Sequence, residues 1–127
     1  MSLRAVAANY RAMCDQVAPA ACAAVVKADA YGLGAARIAP ALYDAGCRAF
    51  FVAHLFEAVE LRRVLPADAD LFVLNGLAPG AEYAALAAGA IPVLNSREQM
   101  EGWARLGRAV GRPLAAAIQF DTGMSRL

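Results

Sequence analysis

Hydrophobic and polar positions along this chain fall into two alternating textures. Short apolar runs appear at CAAVV (22–26), AFFVA (49–53), DLFVLNG (70–76), AIPVLN (90–95) and PLAAAIQFD (113–121). Each is short enough for a strand, and each is apolar on both faces, as a parallel sheet covered by helices requires. Between them lie longer segments with helical spacing, predicting helices over 3–17, 35–46, 57–65, 79–89 and 96–110. In 35–46, Ile38, Ala41, Leu42 and Ala45 share a face and Gly46 is a C-terminal stop. Pro40 fits that helix only near its start or at a kink. Pro66 ends 57–65, Pro79 and Gly89 bracket 79–89, and Ser96 with Gln99 has capping-box spacing. Pro92 weakens the strand over 90–95.

Strand and helix alternating every 20–25 residues or so predicts parallel βαβ units in an α/β fold. Two architectures satisfy the pattern: a doubly wound open sheet, or part of a (β/α)8 barrel. No GxGxxG follows the first strand, which counts against a dinucleotide-binding sheet. Five strands do not close an eight-stranded barrel.

Composition adds exclusions. Hydrophobic residues make up 61% of the 127 and charged residues 18%, with a net charge of +1. Much of the apolar excess is alanine, which packs helices closely at little cost in helix propensity. No basic stripe supports a nucleic-acid partner. The longest apolar candidate, VAPAACAAVV, has ten residues and a proline, well short of a membrane span of ~18. The N-terminus carries polar residues where a signal peptide needs an unbroken apolar core, so a cytoplasmic protein is the expectation. Cys14, Cys22 and Cys47 lack CxxC spacing and read as small buried hydrophobes, with no disulfide framework or metal site.

Polar groups recur where the apolar runs end: Lys27, His54, Asn75, Asn95 and Asp121. In both architectures the C-terminal strand ends line the active site. His54, Asn75 and Asn95 each precede a helix and read as caps or turn residues. In AVVKADAYGLG (24–34), Lys27 ends the apolar strand, where a half-buried amine becomes a Schiff-base former once desolvation or a nearby cation lowers its pKa. Tyr31 follows four residues later, and Gly32 and Gly34 permit close approach of the backbone to a ligand. In QFDTGMSRL (119–127), Asp121, Thr122 and Gly123 stand at a strand end, and Arg126 supplies a fixed, always-charged donor.

These two segments together resemble the alanine racemase family, whose members carry a strand close to AVVKADAYGxG and a later one close to VDTGMxRLG. The order, the separation and the intervening EAVELRR and VLNSREQ segments also match, so the resemblance covers essentially the whole chain. It implies the N-terminal portion of a (β/α)8 barrel of the fold-type III pyridoxal-phosphate class, about five parallel strands alternating with helices. It implies pyridoxal 5'-phosphate as cofactor, Lys27 as the lysine that binds it covalently and serves as one of two catalytic bases, and Tyr31 as a hydrogen-bond partner of its phosphate. Arg126 matches the arginine beside the cofactor's phenolic oxygen that also places the substrate carboxylate. The implied reaction is interconversion of L- and D-alanine for peptidoglycan, by a homodimer with shared active sites.

Departures from the family pattern are also visible. The family's second base is a tyrosine from the β-domain of the other subunit. That residue, the arginine at the pyridine nitrogen, most phosphate ligands, the last three barrel strands and a leading strand close to AEIDL lie outside this sequence. The 127 residues by themselves are therefore expected to lack appreciable racemase activity. Gln119 stands where some members have a carbamylated lysine that orients the arginine; Leu33 replaces a frequent histidine and Ser125 a frequent glycine. Alternatives are a non-catalytic barrel that binds pyridoxal phosphate and manages its supply, another amino-acid racemase or a decarboxylase of the same barrel class, and a truncated remnant without function.

Overall fold

The computed structural model describes residues 2–125. Among them, the chain runs α1 (Leu3–Val17), β1 (Ala24–Val25), α2 (Lys27–Gly32), α3 (Ala35–Asp44), β2 (Ala49–Val52), α4 (Leu55–Arg62), β3 (Asp70–Val73), α5 (Glu82–Ala87), β4 (Ala90–Leu94), α6 (Arg97–Ala109) and β5 (Ala117–Ile118). All four ladders are parallel, and the strands lie side by side in sequence order, β1-β2-β3-β4-β5. That order decides between the two architectures. A doubly wound sheet reverses its strand order at a switch point, whereas a barrel adds each new strand on the same side. The sheet is an arc of a (β/α) barrel.

One face of the arc is roofed by helices. Phe50, Val52, Leu71, Val73 and Pro92 are fully buried there, against Ile38, Ala39 and Leu42 of α3, Ala58 and Leu61 of α4, Ala85 of α5, and Trp103 and Leu106 of α6. Ala39, Ala58 and Ala85 each expose nothing. The alanine excess thus lets helix backbones settle close to the sheet. The opposite face carries a cross-strand row, Val25–Phe51–Phe72–Ile91, placed in register by the ladders. Phe51 and Phe72 stack with centroids 4.6 Å apart. In a closed barrel such a row forms one interior layer.

Helix α1 has the predicted bounds, with Ser2 accepting a cap bond from the Ala5 N–H. Other boundaries moved, for identifiable reasons. The strands are shorter than the apolar runs, but pairing continues past their ends: Leu74 N–H donates to the Val52 carbonyl and Asn75 N–H to that of Ala53. Pro79 does not start α5, because Gly80 takes φ +84° and makes a turn first. Helix α4 begins at Leu55, two residues earlier than expected, because Glu57 caps it from the third position. Pro40 lies inside α3, where its missing N–H forfeits a bond and burial of one face sustains the helix. Pro92 sits within β4. The Leu94 carbonyl accepts from Gln119 N–H, so Leu94 and Pro92 direct their polar groups toward β5. Pairing with β5 begins only at Val93, so Pro92 removes no ladder bond.

Cys47 is buried, but Cys14 and Cys22 are only half-buried, less enclosed than their reading as core hydrophobes implied. The Tyr10 hydroxyl donates to the Cys22 carbonyl at 2.9 Å, and burial together with the neighbouring thiols pushes its pKa up. No helix among the described residues is long and apolar enough to cross a membrane.

At the N-terminal ends of the strands, one side chain ties several elements. The Arg62 guanidinium donates to the carbonyls of Ala88 (3.0 Å), Pro66 (2.6 Å), Ala69 (2.8 Å) and Gly89 (3.3 Å). Burial lowers its pKa from the ordinary arginine value. Arg62→Ala strips donors from four carbonyls and should cost about 2–4 kcal/mol, read from the denaturant midpoint. Arg62→Lys should recover little, because an ammonium on a flexible stem does not reproduce the fork.

Candidate functional site

The chain leaves β1 in an unusual way. Val26 N–H still donates to the Phe51 carbonyl, and then Ala28, Asp29, Ala30 and Tyr31 all take left-handed helical geometry, with φ of 51°, 53°, 53° and 56°. None of the four is glycine. Each such residue costs about 1–2 kcal/mol for an L-amino acid, so a run of four has to be held from outside. Glycine then carries the turn out, with φ +80° at Gly32 and +92° at Gly34. Their role in the fold is therefore conformational.

The holding bonds come from two carboxylates and the buried Ala30. The Asp29 carboxylate accepts from Ala35 N–H at 2.7 Å, and the Asp29 carbonyl from Gly34 N–H at 2.9 Å. The half-buried Glu57 carboxylate accepts three backbone N–H groups: Ala28 at 2.6 Å, Ala53 at 2.8 Å and His54 at 2.8 Å. It therefore fastens the end of β1 to the end of β2.

The turn has a consequence for direction. Lys27 stands just before the left-handed run and Tyr31 is its last residue, and the single turn between them brings both to the same side. Both line a hollow of about 510 Å³ at the C-terminal strand ends, with Val25, Leu74, Asn75, Gln119, Asp121 and Thr122 among its walls. Lys27 is half-buried and Tyr31 is 64% exposed. The Asp121 carboxylate accepts from Gly123 N–H (3.0 Å) and Ser125 N–H (2.9 Å), which folds the DTGM segment into a compact turn on the rim. The structure thus brings Lys27, Tyr31, Gln119, Asp121 and Thr122 together. Arg126 lies outside the described residues. A smaller hollow, about 350 Å³, lies between the turn, α3 and α4. Glu57 and Asp29 line it, but both are already engaged.

The other strand-end residues divide. His54 caps α4 by position, although the cap bond comes from Glu57. Asn95 donates to the Leu74 carbonyl at 3.0 Å and joins the ends of β3 and β4; its buried Oδ1 has no partner among the described residues. Asn75, read as a turn residue, also lines the hollow, with its amide 3.4 Å from the His54 ring. One signal in the sequence went unused: Lys27 is the only lysine in the chain.

Glu57 has a counterpart. Gln99, also third in its helix, accepts from Asn95 N–H at 2.8 Å and donates to the Asn75 carbonyl at 3.3 Å, fastening β4 to β3. The side-chain types follow the partners. Three donors converge on Glu57, which only accepts; one donor and one acceptor meet Gln99, whose amide offers both. Gly76, at φ +64°, leaves the space that this amide occupies. Gln99→Glu sets a carboxylate against a carbonyl and should cost about 1–3 kcal/mol at neutral pH. The loss should shrink in acid, where protonation restores an O–H donor. An equal midpoint shift at both pH values would contradict this.

Three comparisons bear on the site. Residues 1–127 match the family described as alanine racemase, N-terminal domain. The chain is 60% identical over 127 residues to an alanine racemase of Brucella ovis, covering 100% of this chain and 32% of that protein. It is 54% identical to a catabolic alanine racemase of Rhizobium johnstonii, covering 34% of it. The structure superposes on a crystal structure of alanine racemase from Bartonella henselae with covalently bound pyridoxal phosphate, at a TM-score of 0.95 and 50% identity, over 100% of this chain and 35% of that one. The chain thus spans about a third of the length of the relatives it matches.

Proposed function

The chain belongs to the alanine racemase family, within its N-terminal domain, and on that premise we propose that it holds pyridoxal phosphate through Lys27 and that the intact protein interconverts L- and D-alanine. The observation that carries this is the left-handed turn, which presents the only lysine of the chain and the Tyr31 hydroxyl to one hollow. The groups present suit the cofactor. The amine is half-buried at a strand end, a hydroxyl stands four residues away, and the hollow's volume is that of a small-ligand pocket. The covalently bound cofactor of the Bartonella henselae relative supports the same reading.

When bound, the cofactor spreads into its ring the negative charge that builds on the substrate Cα as the proton leaves. Once the substrate amine has taken its place on the cofactor, the freed Lys27 Nζ would take or return the proton on one face of the substrate. Inversion needs an acid on the opposite face, which the resemblance assigns to a tyrosine of a second subunit's β-domain. Tyr31 would donate to the cofactor phosphate. Arg126, which follows the Asp121 turn in sequence, would hold the substrate carboxylate and the cofactor's phenolic oxygen, as the family resemblance implies. We read residues 1–127 as the first part of the barrel, with the remaining strands and a β-domain in the rest of the protein. The intact enzyme works in the cytoplasm as a homodimer and supplies D-alanine for peptidoglycan.

The test is borohydride reduction of the intact protein with pyridoxal phosphate, followed by peptide mapping and a chiral assay of alanine. The label should sit on Lys27, and Lys27→Ala should lose it together with at least about 10³-fold in kcat. Labelling elsewhere, or racemisation that survives Lys27→Ala, would refute the assignment. Tyr31→Phe should weaken cofactor binding about tenfold, measured by titration, and change kcat less.

A further inference from the structure

We propose that Glu57 is a positioning residue, whose carboxylate holds the left-handed turn so that Lys27 and Tyr31 face the hollow. The proposal rests on the reading of Lys27 as the cofactor lysine. Ala28 is the first residue of the turn, and its N–H has no partner within a left-handed turn that starts there. The Glu57 Oε1 supplies one at 2.6 Å, from 29 residues away in sequence. Its Oε2 accepts from Ala53 and His54 at the end of β2. The carboxylate therefore caps two structures of opposite hand at once, the left-handed turn after β1 and the right-handed helix after β2.

Its two functions are separable. Glutamine at this position keeps one oxygen acceptor and adds an NH2 donor. With the oxygen on Ala53 and His54, the NH2 meets the Ala28 N–H, donor against donor. Helix α4 stays capped, while the turn loses its fastener and is free to move toward the right-handed basin that alanine prefers. Reversing the hand redirects the chain after Lys27, so Tyr31 is carried out of the hollow that Lys27 lines. Among the described residues, no other side chain bonds the Ala28 N–H to take over.

The experiment compares Glu57→Gln and Glu57→Ala with the unsubstituted intact protein, and uses Arg62→Ala as a destabilised control remote from the turn. Amide exchange is followed in peptides spanning 26–34 and the core strands. Cofactor affinity is read from the absorbance of the lysine-bound form, and thermal midpoints are recorded. In Glu57→Gln, exchange at Ala28 should rise about ten- to a hundredfold, and affinity should fall about tenfold, with β2 and β3 protected as before. Glu57→Ala should add a fall in thermal midpoint, and Arg62→Ala should lower the midpoint while leaving affinity of the folded protein unchanged. Unchanged exchange at Ala28 overturns the clamp. Faster exchange with unchanged affinity overturns the positioning role, as does an equal loss of affinity in Arg62→Ala. If the unsubstituted protein carries no label on Lys27, the cofactor reading itself has failed, and exchange at Ala28 still decides whether Glu57 holds the turn.

Discussion

Four consecutive L-amino acids do not stay left-handed by themselves. The turn from Ala28 to Tyr31 opposes the intrinsic preference of every residue in it, and it exists because neighbouring groups hold it. Glu57 takes its first N–H, Asp29 bonds forward to the start of α3, and Ala30 is buried beneath. The strain has a geometric return. An extended loop would send Lys27 and Tyr31 apart, whereas the turn stacks them over one hollow at the C-terminal edge of the sheet. On the proposed reading, the hand of the backbone aims the reactive groups, and a carboxylate on α4 holds that hand.

The same construction recurs two steps along the arc. The third residue of α4 ties β1 to β2, and the third residue of α6 ties β3 to β4. At the opposite edge of the sheet, Arg62 gathers carbonyls from the loops that enter β3 and β4. The arc is fastened at both edges by single side chains that bridge neighbouring units. Between them, alanines let the helices settle on Phe50, Leu71 and Val73. The hollow with Lys27 and Tyr31 lies at one edge and the Arg62 bonds at the other, the division expected of a (β/α) barrel.

The apolar runs made the strands legible, because a buried parallel strand is a nearly continuous hydrophobic segment. Periodicity could not supply strand order; the consecutive order that excludes a doubly wound sheet appears only in the ladders. Lys27 and Tyr31 stood out by position at the end of CAAVV, and they do share a hollow. The turn that joins them was not legible, because its alanines are strong right-handed helix formers by intrinsic propensity. The bond responsible spans 29 residues, beyond any local pattern. Asn75 lies in the turn after β3, as expected, and lines the hollow as well: a polar residue before a helix satisfies a cap rule equally well whether it faces a turn or a site. Pro79 suggested a helix start that Gly80 overrides by its positive φ.

The most direct test is a crystal structure of the intact protein with pyridoxal phosphate bound, refined well enough to fix the backbone from Val26 to Gly34. The account predicts positive φ at all four residues from Ala28 to Tyr31, the Glu57 carboxylate on the Ala28 N–H, and density continuous from the Lys27 amine to the cofactor. A right-handed or extended segment there, with cofactor nonetheless joined to Lys27, would contradict the claim that the left-handed turn aims the lysine.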